Sequence, residues 1–247
     1  MKISIITATY NSAATISSCI ASVNEQTYPD IEHIIIDGAS KDNTLEIIKS
    51  MPNRISKIVS EPDDGIYDAL NTGIQLASGD IIGFLHADDI FFSGSILQKI
   101  ADSFDAFNTD GIYGNNYLVQ SENINKIVRI WSSKPFSPKF LNYGWMPPHP
   151  ALFLKESVYK KHGVFDLSFK ISSDYDFILR IFKDQDLKYA YIPETITKMR
   201  VGGASNGSFK KFIQKTREDY IALKKNNISN PFIALFSKKI SKISQYF

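Results

Sequence analysis

Ile81-Ile82-Gly83-Phe84-Leu85-His86-Ala87-Asp88-Asp89 runs from a short apolar stretch straight into two adjacent carboxylates. The apolar part, β-branched in places and bounded by Gly79-Asp80, reads as a buried strand. Neighbouring Asp side chains at a strand end repel each other and are costly to bury unpaired. A hard divalent cation relieves that cost. So does plain exposure in a turn, where Asp is common. The pair alone fits both, and the flanking sequence has to choose.

On the N-terminal side the pattern repeats. Ile3 to Tyr10 reads as a strand, followed by a helix over about 13–25 that Asn11 or Ser12 would cap. Ile31 to Ile36 reads as a second strand ending at Asp37, and Asp42-Asn43-Thr44 opens a helix to about Ser50. Ile55 to Ser60 is a third strand with the exit loop Glu61-Pro62-Asp63-Asp64-Gly65, and 66–77 is helical. Strand and helix alternating at this spacing predict an α/β fold with a mostly parallel central sheet flanked by helices. Each strand then ends in polar groups: Thr7 and Thr9, Asp37, Asp63 and Asp64, Asp88 and Asp89. Ligands bind at the carboxyl ends of such strands, so four successive polar ends predict one crevice. No G-x-G-x-x-G turn and no P-loop occur. A bound nucleotide would therefore need its phosphates neutralised by metal.

On the C-terminal side, a helix over about 96–107 precedes a change of texture. Gly111 to Val119 and Lys126 to Trp131 are hairpin-spaced strands, and Pro135 to Pro150 is an irregular loop rich in Pro and aromatics. A short strand at 151–154, a helix at 155–162 and a helix capped by Ser172 or Ser173 follow. Asp174 and Asp176 sit in its first turn, where acids also favour the helix dipole. Leu187 to Pro193 is a last strand and Met199 to Ser205 a glycine-bearing loop.

The chain of 247 residues is long enough for one sizeable domain. Its net charge of +2 argues against a nucleic-acid partner bound by bulk charge. The single cysteine, Cys19, on a predicted helix, reads as a buried small hydrophobe and suits a reducing compartment. A start that runs directly into a strand leaves no room for a signal peptide, which predicts a cytoplasmic protein. Residues 206–247 stand apart: nine Lys and Arg face only Glu218 and Asp219. Phe232, Phe236, Ile240, Ile243 and Phe247 fall on one helical stripe. Such a basic amphipathic tail suits peripheral contact with the inner face of a membrane, or packing on its own domain.

Four segments, taken in order, resemble family 2 glycosyltransferases, most closely bacterial enzymes of surface-polysaccharide biosynthesis. They are Ser4 to Asn11, Ile36 to Thr44, Glu61 to Gly73 and Leu85-His86-Ala87-Asp88-Asp89. The resemblance implies a GT-A (nucleotide-diphospho-sugar transferase) fold over 1–205, with a donor-binding half of about 1–110 and an acceptor half of about 111–205. The helical tail lies outside it. It also implies transfer with inversion from a nucleotide-sugar donor, UDP by default, to a hydroxyl of a glycan or lipid-linked oligosaccharide. Carried over by position, Thr7, Thr9 and Asp37 hold the nucleoside, and Asp63, Asp64, Asp68 and Asn71 line the nucleotide and sugar. Asp88 meets a divalent metal (Mn²⁺ or Mg²⁺), with Asp89 on the sugar side, and Gly202, Gly203 and Ser205 form a loop near the diphosphate. Asp174 is the catalytic base, with Asp176 as the alternative.

Three departures from the family pattern stand out. His86 occupies the first D-x-D position, and an imidazole ligand favours Mn²⁺ over Mg²⁺. Ser173, not Glu, precedes Asp174, and Leu70 replaces a frequent Arg. The first two leave open a catalytically impaired nucleotide-sugar-binding or scaffold subunit. A related nucleotidyltransferase would want basic residues in the first loop, and Thr7 to Asn11 has none.

Overall fold

The computed structural model describes residues 1–202, 209–242 and 245. Strands β1 (Ile3–Thr9), β2 (Ile31–Asp37), β3 (Ile55–Ser60) and β4 (Ile81–Phe84) pair in parallel in the order β3-β2-β1-β4. Beyond β4 the sheet is mixed. It continues through β8 (Leu152–Lys155), β6 (Gly111–Val119), β9 (Tyr189–Arg200) and β5 (Ile90–Phe91), with β7 (Ile127–Trp131) hairpinned onto β6. The parallel character predicted from the sequence holds through the first four strands.

Side chains alternate across these strands, and both faces are covered. Ile3, Ile5 and Ile35 meet α1 (Ile16–Asn24), α2 (Thr44–Ser50) and α4 (Ile96–Phe107). Ile6, Ile34 and Ile36 meet α3 (Ile66–Leu76), α5 (Glu156–His162) and α6 (Ser173–Phe182). Covered on both sides, β1 is buried at every residue, Ser4, Thr7 and Thr9 included, whereas the edge strand β3 alternates half-buried and exposed. Gly73 lets α3 approach β1, since a Cβ there would lie 2.3 Å from Ile6. Cys19 is fully buried, and that burial raises its thiol to about 12.

Two boundaries differ from expectation. The last strand does not stop at Pro193 but runs on to Arg200, because the β6–β9 register shifts between Tyr113 and Asn116 and Pro193 falls where the ladder is already broken. The tail forms α7 (Phe209–Lys225) and α8 (Pro231–Ile240), and Ala222, Leu223, Ile228 and Ala234 are buried in the same core as α6. Position 205 is therefore no packing boundary. Ile243 and Phe247 of the apolar stripe lie outside the described residues.

A buried acid ties the sheet together. Glu32, 3% exposed, accepts hydrogen bonds from Ser4 Oγ (2.6 Å), Ser78 N (2.8 Å), Ser78 Oγ (2.7 Å) and Lys2 Nζ (3.2 Å). Burial pushes its carboxyl up, but these donors outweigh burial and hold it at about 2. A depressed carboxyl contributes stability that is complete above its unfolded value and lost as pH falls toward the folded one. Glu32→Gln is therefore expected to lower stability by about 2 kcal/mol at pH 7. In thermal melts the gap from wild type should close as pH falls from about 4.5 toward 2.

Candidate active site

The chain leaves β1 toward β2 and returns to β1's other side as β4, so the carboxyl ends of β1 and β4 form a topological switch point. Register aligns Thr9, Asp37 and Ser60 across the ends of β1, β2 and β3. Asp37 is fully buried and accepts hydrogen bonds from Ser40 N (3.0 Å), Ser40 Oγ and Ser60 Oγ (2.7 Å). Thr9 Oγ1 is buried with no partner among the described residues. Asp63 lies against Gly38 and accepts from Gly65 N at 2.9 Å. Burial, then the charges of Asp68, Asp37 and Asp64, raise its carboxyl against that hydrogen bond. Asp64 is exposed, and its N–H donates to Asp68 at 3.0 Å.

Three predicted contacts point elsewhere. Thr7 turns inward, 3.0 Å from the Nε2 of buried His33, on the α1 side of the sheet. Asn71 spends both ends of its amide on the Phe165 backbone, at 2.9 Å each, joining α3 to the loop before α6. Asp89 is fully buried, 3.2 Å from Arg200 N, and its Oδ2 has no partner among the described residues. Burial and then Asp88 push its carboxyl well above the usual range. Gly202 follows β9 with φ +106°, while Gly203 and Ser205 lie outside the described residues.

Asp88 stays half-exposed at the crevice. Its backbone carbonyl accepts from Arg200, whose guanidinium also reaches Ser18 Oγ and the Ser121 carbonyl, each at 3.1 Å. His86 is half-buried, and its Nδ1 is buried without a partner among the described residues. Its ring centre is 5.6 Å from that of His149, which stacks on Phe84 at 5.1 Å. Burial lowers both imidazoles, His149 to about 4, although Asp174 opposes this in each. Both rings are neutral at pH 7, the form a metal ligand requires.

Asp174 lies beyond the two histidines, half-exposed in the first turn of α6. Its Oδ1 accepts from Tyr175 N at 2.8 Å and stands 3.1 Å from the Tyr67 hydroxyl, which is also 2.6 Å from the Ile171 carbonyl. Burial, then the Asp174 charge, keep the Tyr67 phenol protonated. Oδ2 has no donor among the described residues. Asp176 cannot take this place: it is fully buried between Arg180 (3.0 Å), Lys225 (3.2 Å) and Asn226 (2.9 Å).

Asp88 and Asp174, both half-exposed, therefore lie on either side of a neutral imidazole on which both charges act. The Glycosyl transferase family 2 model matches residues 4–161. The chain belongs to that family. An uncharacterized glycosyltransferase of Mycobacterium tuberculosis is 35% identical over 180 residues, covering 72% of this chain and 68% of that protein. UDP-Glc:alpha-D-GlcNAc-diphosphoundecaprenol beta-1,3-glucosyltransferase WfaP of Escherichia coli is 29% identical over 220 residues, 87% and 84% of the two chains. Staphylococcus aureus TarS 1-349 in complex with UDP-GlcNAc superposes with a TM-score of 0.67 at 16% identity, covering 97% of this chain and 70% of that one. The mannosyltransferase PcManGT of Pyrobaculum calidifontis, with GDP-Man and Mn²⁺, gives 0.65 at 18%, covering 96% and 68%. The chain spans 42% of the longer TarS structure that it also matches. These likenesses establish the GT-A fold. Asp174, Arg200 and the tail all lie beyond the family match.

His149, Tyr67 and Arg200 emerge only from the structure. The sequence shows each as an isolated residue in a loop or helix, and what joins them to the crevice is contact across the sheet.

Proposed function

We propose that this protein is an inverting glycosyltransferase that moves a sugar from a UDP-sugar to a hydroxyl of a lipid-linked glycan. The observation that carries the reading is that Asp88 and Asp174, from different elements, both act on the His86 imidazole while each stays half-exposed. The donor set fits a divalent ion of the kind that takes only one or two protein ligands and completes its shell with phosphate and water. Asp88 and His86 would hold it, and when bound it supplies positive charge to the departing diphosphate. No cluster of three or more metal-ligating side chains occurs among the described residues, so most of the ion's shell would have to come from phosphate and water.

Asp174 Oδ2 accepts the proton of the acceptor hydroxyl. The freed oxygen bonds to the anomeric carbon as the bond from that carbon to the diphosphate oxygen breaks, and the electron pair leaves with the diphosphate. A single displacement inverts the centre. Thr9 and Asp37 lie where the nucleoside would rest, and Asp63, Asp64 and Asp68 where the ribose and sugar would. The tail supports a membrane-borne acceptor in two ways. A cleft of about 370 Å³ between residues 134–145 and α8 carries Lys134, Lys139, Tyr143 and Trp145, suited to a sugar phosphate. On its outer side α8 exposes Phe232 (72%) and Phe236 (67%), and no described helix is long and apolar enough to cross a membrane. Replacing both phenylalanines by Ser is expected to release the protein from vesicles containing anionic lipid while leaving UDP binding unchanged.

The deciding experiment is binding and turnover of a panel of UDP-, GDP- and dTDP-sugars with Mn²⁺, Mg²⁺ or EDTA. Metal-dependent binding and turnover of one donor supports the reading. Binding without transfer to any acceptor would favour the donor-binding subunit instead.

A further inference from the structure

Helix α6 holds Asp174 one residue inside its N-terminus, and the tail grips that terminus from outside the crevice. Glu218 on α7, 8% exposed, accepts the backbone N–H groups of Ile171 (2.7 Å) and Ser172 (3.0 Å) through one oxygen. Its other oxygen accepts from Gln214 at 2.9 Å. A carboxylate at this place satisfies N–H groups at the helix start and lies at the favourable end of the helix dipole. One residue past Asp174, the Tyr175 ring carries the Lys238 ammonium 3.1 Å from its centre. Lys238 pairs with Asp219 at 3.0 Å, and both are more than nine-tenths buried. Asp176, next in the chain, is held by Lys225 and Asn226.

Residues on both sides of Asp174 are thus bound by tail side chains, while its own carboxylate points away toward Tyr67. Buried ion pairs are poor sources of stability, because desolvation offsets their attraction and an apolar replacement often does as well. The three charged contacts around this turn, of which Lys238–Asp219 is such a buried pair, are better explained by the geometry they fix. The linkage is continuous: Glu218 fixes the Ile171 backbone, the Ile171 carbonyl meets the Tyr67 hydroxyl, and that hydroxyl meets Asp174 Oδ1.

We propose that α7 and α8 form a clamp that aims the base, with Glu218 as its positioning residue. This rests on Asp174 being the base. It gives the tail a role in the transfer step that is separate from any membrane contact.

The test compares Glu218→Ala, Glu218→Gln and Lys238→Met in the full chain, using the donor that the panel identifies. A small misplacement of a reacting group costs on the order of tenfold to a hundredfold in rate. Glu218→Ala is expected to lower kcat by at least about tenfold with the donor KM and the Kd for UDP unchanged. Deuterium uptake should rise over residues 171–176 and stay as in wild type over 1–84. Glu218→Gln, whose carbonyl still accepts both N–H groups, should recover most of the rate. Lys238→Met keeps bulk over Tyr175 and perturbs the same turn from α8 independently of Glu218; it leaves Asp219 without its partner, so kcat is read per folded molecule and should fall without a change in KM. Wild-type kcat in both Glu218→Ala and Lys238→Met overturns the clamp. Asp174→Asn separates the two failures. If it is inactive while the clamp variants are normal, only the clamp falls; if it transfers at the wild-type rate, the base assignment falls and the proposal with it.

Discussion

Asp174→Asn is expected to slow sugar transfer about 10²- to 10⁴-fold, the usual contribution of a general base, while UDP affinity stays within about twofold of wild type. The substitution keeps shape and removes basicity. Asn can still accept from Tyr175 N and the Tyr67 hydroxyl through its carbonyl, so α6 should start as before. What disappears is the lone pair of Oδ2 that takes the acceptor proton. Transfer with a saturating donor therefore falls in kcat, corresponding to about 3–5 kcal/mol of transition-state stabilisation. Asp176→Asn makes the contrast. Its carboxylate is committed to Arg180, Lys225 and Asn226, so its loss should appear mainly in the melting temperature, with kcat per folded molecule lowered far less than in Asp174→Asn. Equal loss of kcat in the two variants, with equal loss of folded protein, would remove Asp174 from the chemistry.

The strands and the crevice were legible because burial on both faces writes a parallel strand as an apolar run, and because each such run here ends in a polar residue. Which of those polar residues faces the crevice was not legible. Asp88 and Asp89 lie in the turn between β4 and β5, where no strand alternation marks which of the two faces the crevice. The structure exposes Asp88 and buries Asp89 beside Arg200, 111 residues away in the chain. Thr7 and Asn71 fail for the same kind of reason: their partners, His33 and Phe165, come from other elements. The tail was half legible. Its stripe of Phe232, Phe236 and Ile240 is exposed as an amphipathic pattern allows, but Lys238, which reads as part of the solvated face, is 7% exposed between Asp219 and Tyr175. Periodicity marks a face and does not tell what covers it.

Asp88→Ala is expected to change UDP affinity in opposite directions with and without metal. With Mn²⁺ present, loss of the carboxylate should weaken binding on the order of a hundredfold, about 2.7 kcal/mol, because the ion then has no anionic protein ligand at the crevice. In EDTA the sign reverses. Asp88 is a negative charge beside the proposed place of an anionic diphosphate, and like charges repel, so its removal should tighten binding. Asp89→Asn, by contrast, should be almost silent under both conditions: the side chain is fully buried beside Arg200, away from a ligand, and the amide matches it in size. Isothermal titration of UDP against the three proteins, each with Mn²⁺ and with EDTA, gives six affinities that decide the matter. A crossover in Asp88→Ala alone means that this carboxylate acts on the donor through a cation. An equal weakening with and without metal would mean that Asp88 touches the nucleotide directly, as an acceptor for a ribose or sugar hydroxyl. The cation-binding strand end would then be an ordinary polar one.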